Sequence, residues 1–206
     1  MIFVCAMTMA QTNAYPLLPM PQNYKVTDKS FAMGKVKLST PVLKSEWEAF
    51  IVNAGGELAD KAAAEIKVEL LPVIDGVKLN PDEAYRLSVS GQLIKIVAVT
   101  ERGVYWALQT LRQLEKKKGK KSLFAGCEIV DWPAFRIRGF MQDVGRSYIS
   151  VEELKREIEI LSRFKINVFH WHLTENQAWR LESKIFPMLN DSINTCLLDT
   201  SDAADE

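Results

Sequence analysis

The chain has 206 residues, 48% of them apolar and 25% charged, an ordinary balance for one generous globular domain or two small ones and the wrong one for a disordered segment. Its 26 basic and 26 acidic side chains cancel, which removes any electrostatic reason to expect nucleic acid or an anionic membrane as a partner. Three widely spaced cysteines, Cys5, Cys127 and Cys196, form neither a CxxC pair nor a metal-ligand spacing, so neither a disulfide framework nor a zinc knuckle is expected.

Residues 2–10 are apolar and resemble the core of a secretory signal, with small residues at Thr8 and Ala10 and Gln11 as the start of a mature chain. The run lacks a basic n-region and is too short to span a bilayer. Residues 1–15 are therefore expected to be a signal-peptide remnant, and export to the periplasm or the cell exterior is the expected localisation. After a lead containing Pro16, Pro19 and Pro21, residues Ser45 to Asn53 read as a helix. Ala64 to Leu71 alternates apolar and polar side chains, as a half-buried strand should. Tyr85 to Val99 reads as two strands around the turn Ser90-Gly91-Gln92. Thr100 is placed to cap a helix whose Val104, Ala107, Leu108, Leu111 and Leu114 recur at helical spacing. The run Lys116 to Lys121 reads as a solvated turn. A last strand, Leu123 to Val130, is expected to hold Cys127 as a small buried hydrophobe. Residues 16–131 are thus expected to form an N-terminal α+β sandwich domain.

Beyond Trp132 the pattern becomes strand, helix, strand. Arg136 to Val144 is strand-like. Ser150 and Glu153 have the spacing of a capping box. Val151, Leu154, Ile158, Leu161 and Phe164 form one apolar helical stripe, on which Glu152 and Arg156 can pair. Asn167 to Leu173 is the second strand, completing a βαβ unit with parallel strands. In that strand the pleat sends Phe169, Trp171 and Leu173 to one face and Val168, His170, His172 and Thr174 to the other. Both histidines of the chain therefore share a face. They read either as hydrogen-bonded scaffold or as two donors for a metal ion, but no third ligand is apparent nearby, and no metal or other cofactor is expected. Asp143 and Arg146 sit at the exit of the first strand and Glu175 at the exit of the second. In a (β/α) barrel those ends carry the active site, and an arginine there can donate a fork of hydrogen bonds to paired sugar hydroxyls. A structural Asp–Arg pair is the alternative.

Arg138-Gly-Phe-Met-Gln-Asp-Val-Gly-Arg146, Asn167-Val-Phe-His-Trp-His-Leu173 and Gln177-Ala-Trp-Arg180 resemble the β-N-acetylhexosaminidases of glycoside hydrolase family 20. Pro81-Asp-Glu-Ala-Tyr-Arg-Leu87 and Gly103 to Leu114 resemble that family's N-terminal domain, so the resemblance runs over roughly residues 16–193. It implies removal of terminal N-acetylglucosamine or N-acetylgalactosamine from glycans with retention, the substrate's own acetamido oxygen serving as nucleophile. It also implies that Arg146 binds the O3 and O4 hydroxyls, and that Glu175 stands where an aspartate usually supports the general acid through a histidine farther along. Asp143, Arg138, His170 and His172 would be supporting residues. Asn176 occupies a position where the family often has a second acid. The family's acetamido-orienting aspartate and general-acid glutamate follow a Gly-Gly step. Asp82-Glu83 and Asp205-Glu206 lack those glycines and read as decoys, so no catalytic residue is assigned in this chain.

A complete TIM barrel takes about 250 residues, far more than follow Trp132. Residues 132–195 are therefore expected to be the first βαβ unit of an incomplete (β/α)8 barrel. Residues 196–206 lack periodicity, depart from the family pattern and resemble a translated sequencing adapter. They are expected to be a non-native tail on a truncated gene model, and the chain by itself is expected to be inactive. The oligomeric state is not legible. Two other readings stay open: a non-catalytic carbohydrate-binding module built on the first domain, and a metal-dependent hydrolase using His170 and His172.

Overall fold

Two units divide between Arg136 and Ile137 in the computed structural model, which describes residues 16–176 and 178–190. The expected signal remnant, the expected tail with Cys196 and Asp205-Glu206, and Gln177 lie outside the described residues.

In the first unit, the elements follow in the order β1 (Asn23–Val26), β2 (Phe31–Ala32), β3 (Lys35–Ser39), α1 (Lys44–Asn53), β4 (Glu57–Leu58), β5 (Ala64–Leu70), β6 (Tyr85–Ser90), β7 (Leu93–Ala98), α2 (Glu101–Gln113), β8 (Glu115–Lys118), β9 (Lys121–Phe124) and β10 (Cys127–Asp131). Seven strands make a mixed sheet in the order β1-β10-β6-β7-β5-β3-β4, and β2-β9-β8 make a small antiparallel one. The period-2 pattern sorts its two faces. Ile66, Val68, Leu87, Val89, Ile94 and Ile96 are buried in one core with Trp47, Phe50 and Ile51 of α1 and Val104, Leu108 and Leu111 of α2. The opposite face is mixed: Glu69 is joined to Lys67 at 2.7 Å and to Lys95 at 2.9 Å, while Val97 and Val130 pack with Ile74 and Trp132 in a smaller second core. A groove of about 370 Å³ on that face is lined by Ile74, Arg86, Lys95, Val97 and Glu128, among others.

Local chemistry sets the ends of these elements. The Thr100 hydroxyl accepts a hydrogen bond from the Arg102 backbone N–H at 3.2 Å, the expected cap of α2. The buried Tyr85 hydroxyl bonds to Thr110 at 2.6 Å and donates to Asp131 at 3.0 Å, and burial pushes its ionisation well above the ordinary tyrosine range. Cys127 is fully buried, as expected, and burial pushes its thiol up to about 12.

Two expectations for the first unit need correction. The run Leu123 to Val130 is not one strand. It breaks at Ala125-Gly126 into β9 and β10, which belong to different sheets. Gly126 makes the crossing possible, because a Cβ there would lie 2.3 Å from the Lys29 carbonyl oxygen. The lysine run is solvent-exposed, but it is the β8–β9 hairpin and not merely a turn.

The second unit is a βαβ unit: β11 (Gly139–Asp143), α3 (Val151–Arg163) and β12 (Val168–His172), with β11 and β12 parallel. The capping box is complete, Ser150 and Glu153 each satisfying the other's backbone N–H. Phe140 stacks on Phe169 across the strand pair, with ring centroids 6.3 Å apart. The apolar stripe of α3 is only partly covered. Leu154 is buried, whereas Val151, Ile158 and Phe164 are 44–48% exposed. Trp171, on the apolar face of β12, is 44% exposed. Two strands and one helix present too little surface to cover every apolar side chain. Glu152 and Arg156 form no ion pair among the described residues, in keeping with the few tenths of a kcal/mol such a pair gains. No helix among the described residues is long and apolar enough to cross a membrane.

Candidate functional site

Parallel pairing of β11 with β12 puts Asp143 opposite His172 at the C-terminal ends of both strands. The Val144 N–H continues the ladder to the His172 carbonyl at 3.0 Å. The chain then turns sharply around the Asp143 carboxylate, whose Oδ1 accepts the backbone N–H groups of Gly145 at 2.8 Å and Arg146 at 3.1 Å. This is an Asx-type turn, in which a short carboxylate substitutes for a backbone acceptor. It throws the Arg146 side chain back over the strand ends.

The guanidinium lands between two carboxylates. Arg146 Nε lies 3.3 Å from Asp143 Oδ2, and Arg146 Nη2 donates to Glu175 Oε1 at 2.7 Å. Glu175 is itself held, its Oε2 accepting the Asn176 N–H at 3.0 Å and its own N–H donating to the Ala178 carbonyl at 2.9 Å. A bridge between Thr174 and Trp179 closes this loop into a tight hairpin. Arg180 ties it to the first strand's exit by donating from Nε to the Val144 carbonyl at 2.9 Å, and its guanidinium lies 5.8 Å from the Tyr148 ring centroid. Gly145 lets the two loops approach, because a Cβ there would lie 3.0 Å from the Glu175 Cβ.

Electrostatics follow the geometry. The Asn176 N–H and the Arg146 guanidinium hold the Glu175 carboxyl below the ordinary glutamate range. Partial burial works to raise the Asp143 carboxyl, but the N–H groups of Arg146 and Gly145, with the charges of His172 and Arg146, outweigh it and hold that group low as well. Arg146 is raised in turn, chiefly by its hydrogen bond to Glu175. Because both carboxyls are lowered in the folded state, the stability they contribute is full above the unfolded values of about 3.9 and 4.3 and is lost as pH falls through the folded ones. Thermal melting followed by tryptophan fluorescence is therefore expected to show a loss of stability below about pH 4 that is shallower in the double variant Asp143→Asn/Glu175→Gln. Identical pH profiles for the two proteins would remove these carboxylates from the account.

Of the residues singled out in the sequence, the strand ends gather Asp143, Arg146, His172 and Glu175. His172 Nε2 is 3.8 Å from Glu175 Oε1. His170 shares the strand face, its ring 5.8 Å from that of His172, but it is not one of the groups converging on Arg146. Arg138 belongs to the other end of β11. Its Nε donates to the Lys165 carbonyl at 2.6 Å and its carbonyl accepts the Asn167 and Val168 N–H groups, which fastens the entry of β12. The Asp82-Glu83 decoy is structural: buried Glu83 accepts the Trp106 indole N–H at 2.7 Å, and Asp82 lies 3.7 Å from Arg102. Reading by residue type missed Arg180 and Gly145, which hold the two loops together. Arg180 was visible only as the last letter of the Gln177-Ala-Trp-Arg180 motif. The third donor near His172 was missed too. It is Asp143, supplied by the neighbouring strand, and with Glu175 it offers ligand atoms that all lie within 4.8 Å of one another.

Comparison with known proteins gives a consistent picture. The family model described as glycosyl hydrolase family 20, domain 2, matches residues 14–132, and the one described as the catalytic domain of the same family matches residues 135–197. A beta-hexosaminidase of Porphyromonas gingivalis is 34% identical in an alignment that covers 85% of this chain and 24% of that protein. A beta-hexosaminidase of Vibrio furnissii is 37% identical over 132 residues, 64% of this chain and 21% of that protein. Among solved structures, the exo beta-N-acetylglucosaminidase of Vibrio harveyi in complex with N-acetylglucosamine superposes with a TM-score of 0.71 at 36% identity, covering 87% of this chain and 28% of that one. The beta-N-acetylhexosaminidase of Bacteroides fragilis gives a TM-score of 0.71 at 28% identity, over 85% and 37% of the two chains. The chain spans about a quarter of the length of the curated relatives it matches.

Proposed function

We propose, from the premise that this chain belongs to glycosyl hydrolase family 20, that its second unit carries the sugar-gripping edge of an exo-acting β-N-acetylhexosaminidase. The observation that carries this reading is the placement of Arg146 at two adjacent parallel strand ends, clamped by Asp143 and Glu175. A guanidinium offers five N–H donors in a fixed plane. Two carboxylates engage one side of that plane and fix its orientation, leaving further donors for the vicinal O3 and O4 hydroxyls of a terminal N-acetylhexosamine. Asp143 and Glu175 are positioning residues in this account, and His172 Nε2 lies 3.8 Å from Glu175 Oε1.

The chemical steps belong to other groups. In this family the acetamido oxygen of the substrate attacks the anomeric carbon, with one carboxylate orienting the acetamido group and another protonating the leaving oxygen. No Gly-Gly-Asp-Glu segment occurs in the 206 residues, and Glu83 is committed to Trp106. Glu175 is occupied too, since its Oε1 ion-pairs with Arg146 and its Oε2 takes a backbone N–H. The purified chain is therefore expected to release no 4-nitrophenol from 4-nitrophenyl N-acetyl-β-glucosaminide above the buffer rate. Turnover abolished by Glu175→Gln would contradict this, because it would make Glu175 the acid. Export is part of the same proposal, supported by the apolar run of residues 2–10.

A further inference from the structure

Asp143, His172 and Glu175 form a donor set, two members of which also orient Arg146. One imidazole and two carboxylates are ligands that zinc accepts, at about 2.0–2.2 Å each, with a fourth position left open. Their ligand atoms lie within 4.8 Å of one another, and His172 Nε2 is already 3.8 Å from Glu175 Oε1. Tetrahedral coordination brings ligand atoms to about 3.3 Å apart. The remaining contraction falls on the side chains, whose Asp143 Oδ1 and Glu175 Oε2 are anchored by backbone N–H groups, while the backbones are fixed by the β11–β12 ladder and the Thr174–Trp179 bridge.

What stands in the way is a cation the protein itself provides. Arg146 contacts both carboxylates, yet its side chain is 63% exposed, so it can leave without unpacking a core. Arg146 holds Asp143 Oδ2 and Glu175 Oε1, so a divalent ion brought to the same two carboxylates meets a positive charge within a few ångströms and is repelled by it. We infer that Asp143, His172 and Glu175 form a latent zinc site for which Arg146 is the built-in competitor. His170 is not part of it, which separates this site from one made by the two histidines of the strand. Zinc occupancy displaces Arg146 and so opposes saccharide binding. That consequence rests on the hydroxyl-gripping role proposed above, whereas zinc binding itself does not.

Calorimetric titration of the purified 206-residue chain with zinc chloride, and separately with magnesium chloride, tests the inference. One equivalent of zinc is expected to bind, with magnesium much weaker because a single imidazole is a poor ligand for that hard ion. Zinc affinity is expected to fall at least about tenfold in His172→Ala and in Glu175→Gln, to stay unchanged in His170→Ala, and to rise at least about tenfold in Arg146→Ala, with circular dichroism confirming that each variant is folded. Absence of zinc binding, zinc affinity indifferent to both His172→Ala and Glu175→Gln, or weaker binding in Arg146→Ala would overturn it. Zinc binding as expected, combined with saccharide binding that zinc leaves untouched, would keep the metal site and overturn the sugar-gripping role of Arg146 instead.

Discussion

Phe124→Ala is expected to destabilise the first unit by about 3–5 kcal/mol, the usual range for emptying a buried aromatic site. Phe124 is fully buried. Its ring meets Phe31 at 6.4 Å edge-on and Phe50 at 5.6 Å, and in register it pairs with Phe31 on one side and Glu115 on the other. One side chain thus joins the small sheet, helix α1 and the main core. Collapse around the gap is opposed because its neighbours sit on three different elements, and close-packed interiors relax only partly. Urea unfolding monitored by circular dichroism checks this, with the half-buried neighbour Leu123→Ala as a milder comparison. A loss below about 1 kcal/mol would show that the three elements are not held through this ring.

Arg146→Ala is expected to separate function from stability. The Asx turn that shapes the loop uses backbone N–H groups, so Asp143 keeps its two main-chain bonds when the side chain is removed. Exposed ion pairs add little to folding, and the melting temperature is expected to move by no more than about 3 °C. Affinity for N-acetylglucosamine is expected to fall by about 10–100-fold, the worth of hydrogen bonds from a charged donor. Arg146→Lys should recover only part of it, because an ammonium keeps the charge and loses the planar fork. Equal affinities for wild type and Arg146→Ala, measured by saturation-transfer NMR, would remove the arginine from the site.

How far the fold was legible depended on how local its causes are. The period of α2, the Thr100 cap and the Ser150–Glu153 capping box are written within a few residues, and each stands where the pattern placed it. The break at Gly126 was not legible, since its cause is the Lys29 carbonyl nearly a hundred residues earlier. For the same reason the lysine run gave no sign that β9 would leave the main sheet. The candidate site shows the same division. Asp143, Arg146 and Glu175 could be picked out as strand-exit residues, but the register that sets Asp143 opposite His172 is a property of two strands joined through a helix. The pleat alone put His170 and His172 on an equal footing. The distance to Glu175 separates them. Arg138 shares a motif with Arg146, yet the length of β11 places them at opposite ends with different tasks.

Glu175 illustrates a finer point. Its side chain, one methylene longer than an aspartate's, reaches Arg146 directly at 2.7 Å. The Glu175 carboxylate thus couples the second strand's exit to Arg146, and in this structure both strand ends hold the same group.

The most direct test of the account is to titrate the isotopically labelled chain with N-acetylglucosamine and follow the arginine Nε–Hε resonances by NMR. The account predicts that the Arg146 side-chain signal moves with millimolar saccharide, accompanied by the backbone amides of Gly145 and Asn176. Shifts confined to the Arg86 and Glu128 groove of the first unit, with Arg146 unmoved, would contradict it.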